Sequence, residues 1–427
     1  MPPASDAGLI ASLRGLGRDG RLLFLTRLLR MFAYGSLAVV LVLYLASLGI
    51  EPLAIGAILT LTLIGDTLIS LWLTTRADRI GRRRVLIIGS LLMAAAGVAF
   101  AFTSVVALLI LAATIGVISP TGNEVGPFLA IEQAALSETI PDERRTATFA
   151  WYNLAGYAAT AVGSLAAGVA TSALLAAGWP DVDAYRAIVL GYAALSLVMA
   201  GAFGLVGSAV EPPHAVAGAG ADEPRRLGLG SRSRAIIARL SALFALDAFA
   251  GGFVPQALMA YWFHVRFGVE PAALGALFFA ANLLAAVSSL SAARIAARIG
   301  LINTMVFTHL PSNVLLILVP FMPTLPLAVI CLLARYALSQ MDVPTRQSYV
   351  IAVVEPDERS AAAGVTGIAR TTGAAVSPVI SAPLIASASF AGAPFVIAGA
   401  LKIVYDLSLY VLFRSRPAPS EHLARQA

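Results

Sequence analysis

The sequence predicts an all-α integral membrane protein, with twelve transmembrane helices in two pseudo-symmetric six-helix halves. Three observations predict it. The 427 residues are 59% hydrophobic and only 12% charged. Long apolar runs alternate with short turns rich in arginine. Short motifs also recur at a spacing of about half the chain.

The composition excludes a soluble enzyme. With a mean hydropathy of +0.85, the chain has too few polar side chains to cover a water-facing surface, so it belongs in lipid. The formal charge of +6 would suit a nucleic-acid partner if the basic residues formed one patch. They lie instead in short loops between apolar spans, which is the pattern of membrane topology. Cys331 stands alone, which rules out an intramolecular disulfide or a cysteine metal cluster. The first apolar run is too long for a signal peptide and lacks a small-residue cleavage site.

An apolar run of about 20 residues, rising about 1.5 Å per residue, spans the ~30 Å hydrocarbon core as a helix. Such runs are expected at about 22–48, 53–75, 85–102, 105–138, 149–176 and 186–209. Six more follow at about 240–266, 272–293, 303–322, 325–353, 361–386 and 393–413. Residues 1–21 form an N-terminal segment before the half 22–210. The Gly/Ala/Pro-rich charged stretch 211–239 reads as a linker, 240–413 as the second half and 414–427 as a tail. The turn 75–84, TRADRIGRRR, holds five arginines, and RIAARIG at 294–300 echoes it. With both termini in the cytoplasm, the loops on that side carry nearly all the loop arginines, and the outer loops carry only Arg186 and Arg266. That asymmetry orients the chain in the cell (inner) membrane.

The repeat is visible in residues. Gly49-Ile-Glu-Pro52 before span 2 matches Gly268-Val-Glu-Pro271 before span 8, offset by 219, and Gly81 matches Gly300 at the same offset. Pro141-Asp-Glu-Arg144 and Pro356-Asp-Glu-Arg359 follow spans 4 and 10, offset by 215. Two related six-span halves with a cavity between them are expected. Gly156, Gly163, Gly168, Gly367 and Gly373 in spans 5 and 11 are expected to allow close helix approach.

On these motifs the chain resembles the major facilitator superfamily over essentially its whole length. The family's loop 2–3 signature, G-x-L-a-D-r-x-G-r-R, is similar to Thr74-Thr-Arg-Ala-Asp78-Arg79-Ile-Gly81-Arg82-Arg83, with Thr74 in place of the leading Gly and Arg76 in place of the Leu. The P-x-x-x-R pattern of loop 4–5 resembles Pro141 to Arg145, and less fully Pro356 to Ser360. The resemblance implies that Asp78 and Arg79, with Gly81 and Arg82, belong to a gate latching the halves on the cytoplasmic side. The alternative is that these arginines only set orientation.

Ionisable residues within spans are expensive and therefore candidates for function. The acids are Asp66, Glu124, Glu132, Asp247, Asp342 and Asp406; the bases are Arg27, Arg30, Arg335, Arg346, Arg370 and Lys402. Lys402 and Asp406, four apart, are expected to pair on one helix face. Arg27, near a span end, is expected to snorkel toward water. Asp247 is followed by Gly251, Gly252 and Pro255, which weaken span 7, and Gln256 then lies near the midplane in an expected cavity. Asp247 is either a proton carrier or the permanent partner of an arginine such as Arg30. PTGNEVGP at 120–127 breaks span 4, placing Glu124 in the break and Glu132 two turns on. The break is either part of a site or a kink at the outer end. Asp342 and Arg346 are one turn apart and can pair as a switch, or sit statically against span 4. Arg370 reads as an anion-binding or counter-ion residue. Asn153, Asn282, His309 and Asn313 either bind substrate or tie helices together.

No enzyme motif, metal-ligand spacing or phosphate-cradling loop occurs, so no cofactor or metal is expected. The energy source is then an ion gradient, most simply protons. The leading expectation is a secondary transporter that moves a small organic solute by alternating access, working as a monomer in the lipid bilayer and coupled to protons. The loop 2–3 signature resembles drug–proton antiporters, which implies efflux. The antiporter pattern in span 5 is not matched at Gly156-Tyr-Ala-Ala-Thr160-Ala; Gly373-Ala-Ala-Val-Ser-Pro378 in span 11 is only partly similar. The alternatives are a transporter of an anionic metabolite that uses Arg346, Arg370 or Arg30, and a transporter-like sensor.

Overall fold

The computed structural model describes residues 16–124, 126–140, 142–207, 210–211, 230–355 and 358–414, without side-chain detail at 78, 142–147, 231, 232 and 360. Among these residues, eleven helical segments are long and apolar enough to cross a membrane. In order the helices are α1 (Arg18–Ser47), α2 (Pro52–Ile80), α3 (Arg82–Phe102), α4 (Val106–Ile115), α5 (Phe128–Thr139), α6 (Asp142–Ala176) and α7 (Asp181–Gly204). They continue as α8 (Ser231–Gly252), α9 (Gln256–Phe267), α10 (Pro271–Ile299), α11 (Leu301–Leu318), α12 (Leu325–Ser339), α13 (Asp342–Ala352), α14 (Arg359–Val376), α15 (Pro378–Ala386) and α16 (Ala393–Phe413). The fourth expected span is divided between α4 and α5, which supplies the twelfth crossing of the fold class.

Two of the three remaining breaks coincide with a proline. Span 7 ends as α8 at Gly252 and resumes as α9 at Gln256, because Pro255 cannot donate a backbone hydrogen bond. Span 10 divides at Gln340–Met341, a break the apolar pattern does not announce. Span 11 divides at Ser377, just before Pro378. Irregular backbone at such depths survives only where protein or water covers its polar groups.

The chain folds into two compact units, Met1–Ala217 with Gly268–Phe279, and Gly218–Phe267 with Ala280–Ala427. In the first unit α1 and α6 approach so closely that a Cβ at Gly35 would strike the carbonyl of Thr160, and one at Gly163 the carbonyl of Phe32. Ser36 Oγ donates to Gly163 O at 3.0 Å, and Ser164 Oγ to Gly35 O at 3.1 Å. The second unit repeats the device between α8 and α14: a Cβ at Gly252 would meet Ala374 O, and one at Gly373 would meet Ala245 O. Ser377 Oγ donates to Phe249 O, and Ser381 Oγ to Phe253 O at 2.5 Å. Gly156 makes room for the Arg27 guanidinium, and Gly168 lies against Gly275. Gly367 is different: nothing lies within 4 Å of a Cβ built there, so it is no helix-contact glycine.

Gly35→Val and Gly373→Val should therefore each cost about 1–3 kcal/mol through forced separation of a helix pair. Gly367→Ala should be neutral. Thermal unfolding in detergent checks this, and a Gly35→Val midpoint equal to that of the unmodified protein would overturn it.

The repeat also holds at its turns. Gly49 and Gly268 have φ of 76° and 65°, and Gly81 and Gly300 have φ of 102° and 88°. All four occupy the left-handed region that glycine adopts without strain.

Candidate functional site

The first unit gathers Arg27 and Arg30 of α1, Glu124 of the span 4 break, Glu132 of α5 and Tyr152 of α6. Arg30 Nη1 and Nη2 donate to the two oxygens of Glu132 at 2.7 and 2.5 Å, while its Nε donates to Glu124 Oε1 at 2.7 Å. All three guanidinium nitrogens are thereby engaged, and the ring of Phe128 lies 4.7 Å from the guanidinium carbon. Glu132 also accepts from Thr26 Oγ1 at 3.1 Å and from the Tyr152 hydroxyl. Two arginines face two glutamates, so the cluster is charge-balanced.

Arg27 does not snorkel. It is buried over the Tyr152 ring, donating through Nε to Tyr152 O at 3.0 Å and through Nη1 to Glu124. The space above Gly156 lets the guanidinium lie inward, where Glu124 compensates its charge. The break is not an outer kink either. It carries Glu124 to residues in the N-terminal half of α1, and neighbouring helices together with its own Ser119 satisfy its backbone. Tyr192 donates to Val117 O, Thr160 Oγ1 reaches Gly122 O at 3.4 Å, and Ser119 Oγ donates to Asn123 O at 2.7 Å.

In the second unit, Asp247 of α8 is shared between two cations. Lys402 Nζ of α16 donates to its Oδ1 at 2.5 Å, and Arg346 Nη1 of α13 lies 3.2 Å from its Oδ2. Arg346 Nη1 also donates to Asp342 Oδ2 at 2.9 Å, so the one-turn pair expected on span 10 is present. Its further partner is Asp247 rather than span 4. Arg30 is not the partner of Asp247.

The expected Lys402–Asp406 pair does not form. The long stem of Lys402 carries its charge across to α8, whereas the short Asp406 carboxylate is taken by α11. There His309 Nδ1 lies 2.9 Å from Oδ1, and Asn313 Nδ2 donates to Oδ2 at 2.8 Å. Gln256 and Asn282 bond to each other, with Asn282 Nδ2 donating to Gln256 Oε1 at 3.2 Å, which ties α9 to α10. Arg335 and Arg370 each bury an Nε with no hydrogen-bond partner. Arg335 rests over the Tyr336 ring, and Arg370 lies within electrostatic reach of Arg346, Asp247 and Asp342.

The two clusters occupy matched positions with inverted sign. Arg30 and Asp247 are 217 apart, as are Gly35 and Gly252, and each charge sits on the helix that opens its half. Its partner in each case comes from the second segment of a divided span: Glu132 on α5 for Arg30, Arg346 on α13 for Asp247.

At the loop, Arg82 N and Arg83 N donate to the carboxylate of Glu211 at 2.7 and 3.2 Å. That acid satisfies two of the free N–H groups that open α3 and suits its positive end. Arg82 Nη1 lies 3.7 Å from Glu138 Oε1 and donates to Val210 O at 3.2 Å. Gly81 lets the Glu211 carboxylate approach, since a Cβ there would lie 3.3 Å from its Oε1. Arg79 is exposed. The side chains of Asp78 and of residues 142–145, and residues 141, 356 and 357, lie outside the described residues.

Paired apolar helices in two repeated units, each with a buried ionic cluster, define a polytopic membrane protein. The Major Facilitator Superfamily profile matches residues 23–341, and the chain belongs to that family. It is a family of transporters, not of enzymes. The uncharacterized membrane protein YJR124C of Saccharomyces cerevisiae is 30% identical over 422 residues, covering 93% of this chain and 94% of that protein. The nucleoside transporter NupG superposes with a TM-score of 0.70 at 14% identity, covering 93% of this chain and 99% of that one. A D-xylose–proton symporter superposes with a TM-score of 0.69 at 14% identity, covering 94% and 97%. Both structures share the fold.

Proposed function

We propose a proton-coupled secondary transporter that exports a small organic solute across the inner membrane by alternating access, with both termini cytoplasmic. The halves 22–210 and 240–413 are its moving bodies, and a single chain is the working unit. The observation that carries this reading is Asp247, shared between Lys402 and Arg346. A carboxylate holding two cations from two different helices is an exchangeable bond. Neutralising it, or offering a competing charge, frees one helix from another, and a ligand shifts a conformational equilibrium only through such differential contacts. The arginine-rich loops support the orientation. The likeness of the 74–83 loop to drug–proton antiporters supports export.

A second reading, transport of an organic anion, is favoured by Arg335 and Arg370. Within the spans of that unit, Asp247, Asp342 and Asp406 are outnumbered by Arg335, Arg346, Arg370 and Lys402, and two arginine Nε groups lack acceptors. A buried unpaired cation is costly, and a bound carboxylate would satisfy it.

Purified protein in liposomes with a trapped pH-sensitive dye tests both. Cationic and neutral organic compounds should release protons, and Asp342→Asn should slow that release at least tenfold. A signal from carboxylates alone, abolished in Arg370→Gln, would replace the first reading by the second. Absence of proton movement with every compound would overturn proton coupling.

A further inference from the structure

Asp66 is the fifteenth residue of the 29-residue helix α2, fourteen residues from either end. At about 1.5 Å per residue, that places it about 21 Å from both ends, at the depth of the bilayer centre. It is 7% exposed. Glu124, Glu132, Asp247, Asp342 and Asp406 all hold an arginine, lysine or histidine. Asp66 has no such partner among the described residues.

Its surroundings come from other parts of the first unit. Ser70 Oγ, one turn along α2, lies 3.4 Å from Oδ1, and the Gly126 backbone in the span 4 break lies within electrostatic reach of the carboxylate. The titratable groups within electrostatic reach are Glu124 of the break, Tyr34 of α1 and Tyr192 of α7, and none is a cation in any protonation state. A carboxylate left in such a place without a counter-charge is expensive, and uptake of a proton removes that cost.

The break is built to lie against this acid. Gly65 lacks a Cβ where the Thr114 carbonyl near the end of α4 meets α2. Gly122 and Gly126, with φ of 70° and 82°, take the left-handed backbone that interrupts the helix there. Two residues before Gly126, Glu124 enters the clamp of Arg27 and Arg30. The backbone N–H of Gly126 favours ionised Asp66 electrostatically. Protonated Asp66 is itself a donor and a weaker acceptor, so it holds the break less firmly.

We propose that Asp66 is a proton-binding site whose occupancy sets the conformation of the break between α4 and α5, and through Glu124 the state of the Arg27–Arg30 clamp. This rests on the proton-coupled reading above. In it, a proton of the cycle is taken up in the first unit, in addition to any exchange among the ion pairs of the second.

Two measurements on the full-length protein in nanodiscs test the site. Infrared difference spectra between acid and alkaline buffer should contain a protonated-carboxyl band that Asp66→Asn removes and Asp342→Asn retains. Hydrogen–deuterium exchange of the segment 116–127, corrected for the intrinsic pH dependence, should rise several-fold on acidification. In Asp66→Asn it should be high at every pH, and Asp66→Glu should restore the pH response. A band that survives Asp66→Asn, or an exchange profile that Asp66→Asn leaves unchanged, overturns the proposal. If both signatures appear while no compound moves protons in liposomes, the proton site stands and the proton-coupled reading falls.

Discussion

Glu132→Gln should be among the most damaging single substitutions in the chain. The Glu132 side chain has 0% exposure, against 14% for that of Glu124, and it receives both terminal nitrogens of Arg30, Thr26 Oγ1 and the Tyr152 hydroxyl. Without its charge, Arg27 and Arg30 are left with Glu124 alone. Removing one partner of a buried pair costs about 3–5 kcal/mol, because the other charge remains buried. Glu124→Gln makes the same change in charge at a site that water can partly reach, and should cost less. The double variant Arg30→Met with Glu132→Met removes one complete pair and keeps Arg27 with Glu124. It should unfold at a higher temperature than Glu132→Gln. Thermal unfolding in detergent orders the three, and a double variant less stable than Glu132→Gln would show that the cluster is not a set of compensating charges.

The same cluster marks how far the sequence can be read. The spans follow from apolar run length, and the positions of the breaks in spans 4 and 7 follow from proline and glycine. The Asp342–Arg346 pair follows from helical spacing. What lies beyond reach is partner choice across helices. Lys402 sits one turn from Asp406, yet its reach takes it to α8, while Asp406 is held by two residues of α11. Local spacing cannot rank a neighbour on the same helix against one brought near by tertiary packing. The division of span 10 is also unannounced: Pro344 lies inside α13, while the break falls at Gln340–Met341. The sign-inverted match of Arg30 with Asp247 is hidden for another reason. It is visible only at the offset of 217, between spans whose loops repeat at 219 and 215. Asp66 is legible as an acid within a span, but its lack of a cation is a property of the packed helices.

Asp247→Asn should be comparably severe in the second unit, and a double-mutant cycle can name its partner. The substitution leaves Lys402 buried without an anion, its acceptors being the backbone carbonyl of residue 247, 3.3 Å away, and a neutral side-chain amide, while Arg346 keeps Asp342. The expected cost is about 3–5 kcal/mol, as for other buried charges stripped of a partner. Lys402→Met should cost less, because Asp247 retains Arg346. Combining the two removes a cation and an anion together, so the double variant should be more stable than the sum of the single effects by about 1–3 kcal/mol, the range for residues in direct contact. Lys402→Met combined with Asp406→Asn is the contrasting cycle. There the pair suggested by helical spacing is absent, and the two effects should add to within about 0.5 kcal/mol. Unfolding by sodium dodecyl sulfate in mixed micelles gives the four free energies of each cycle. Coupling in the second cycle and none in the first would return Lys402 to Asp406, and would remove the shared carboxylate on which the exchange of partners depends.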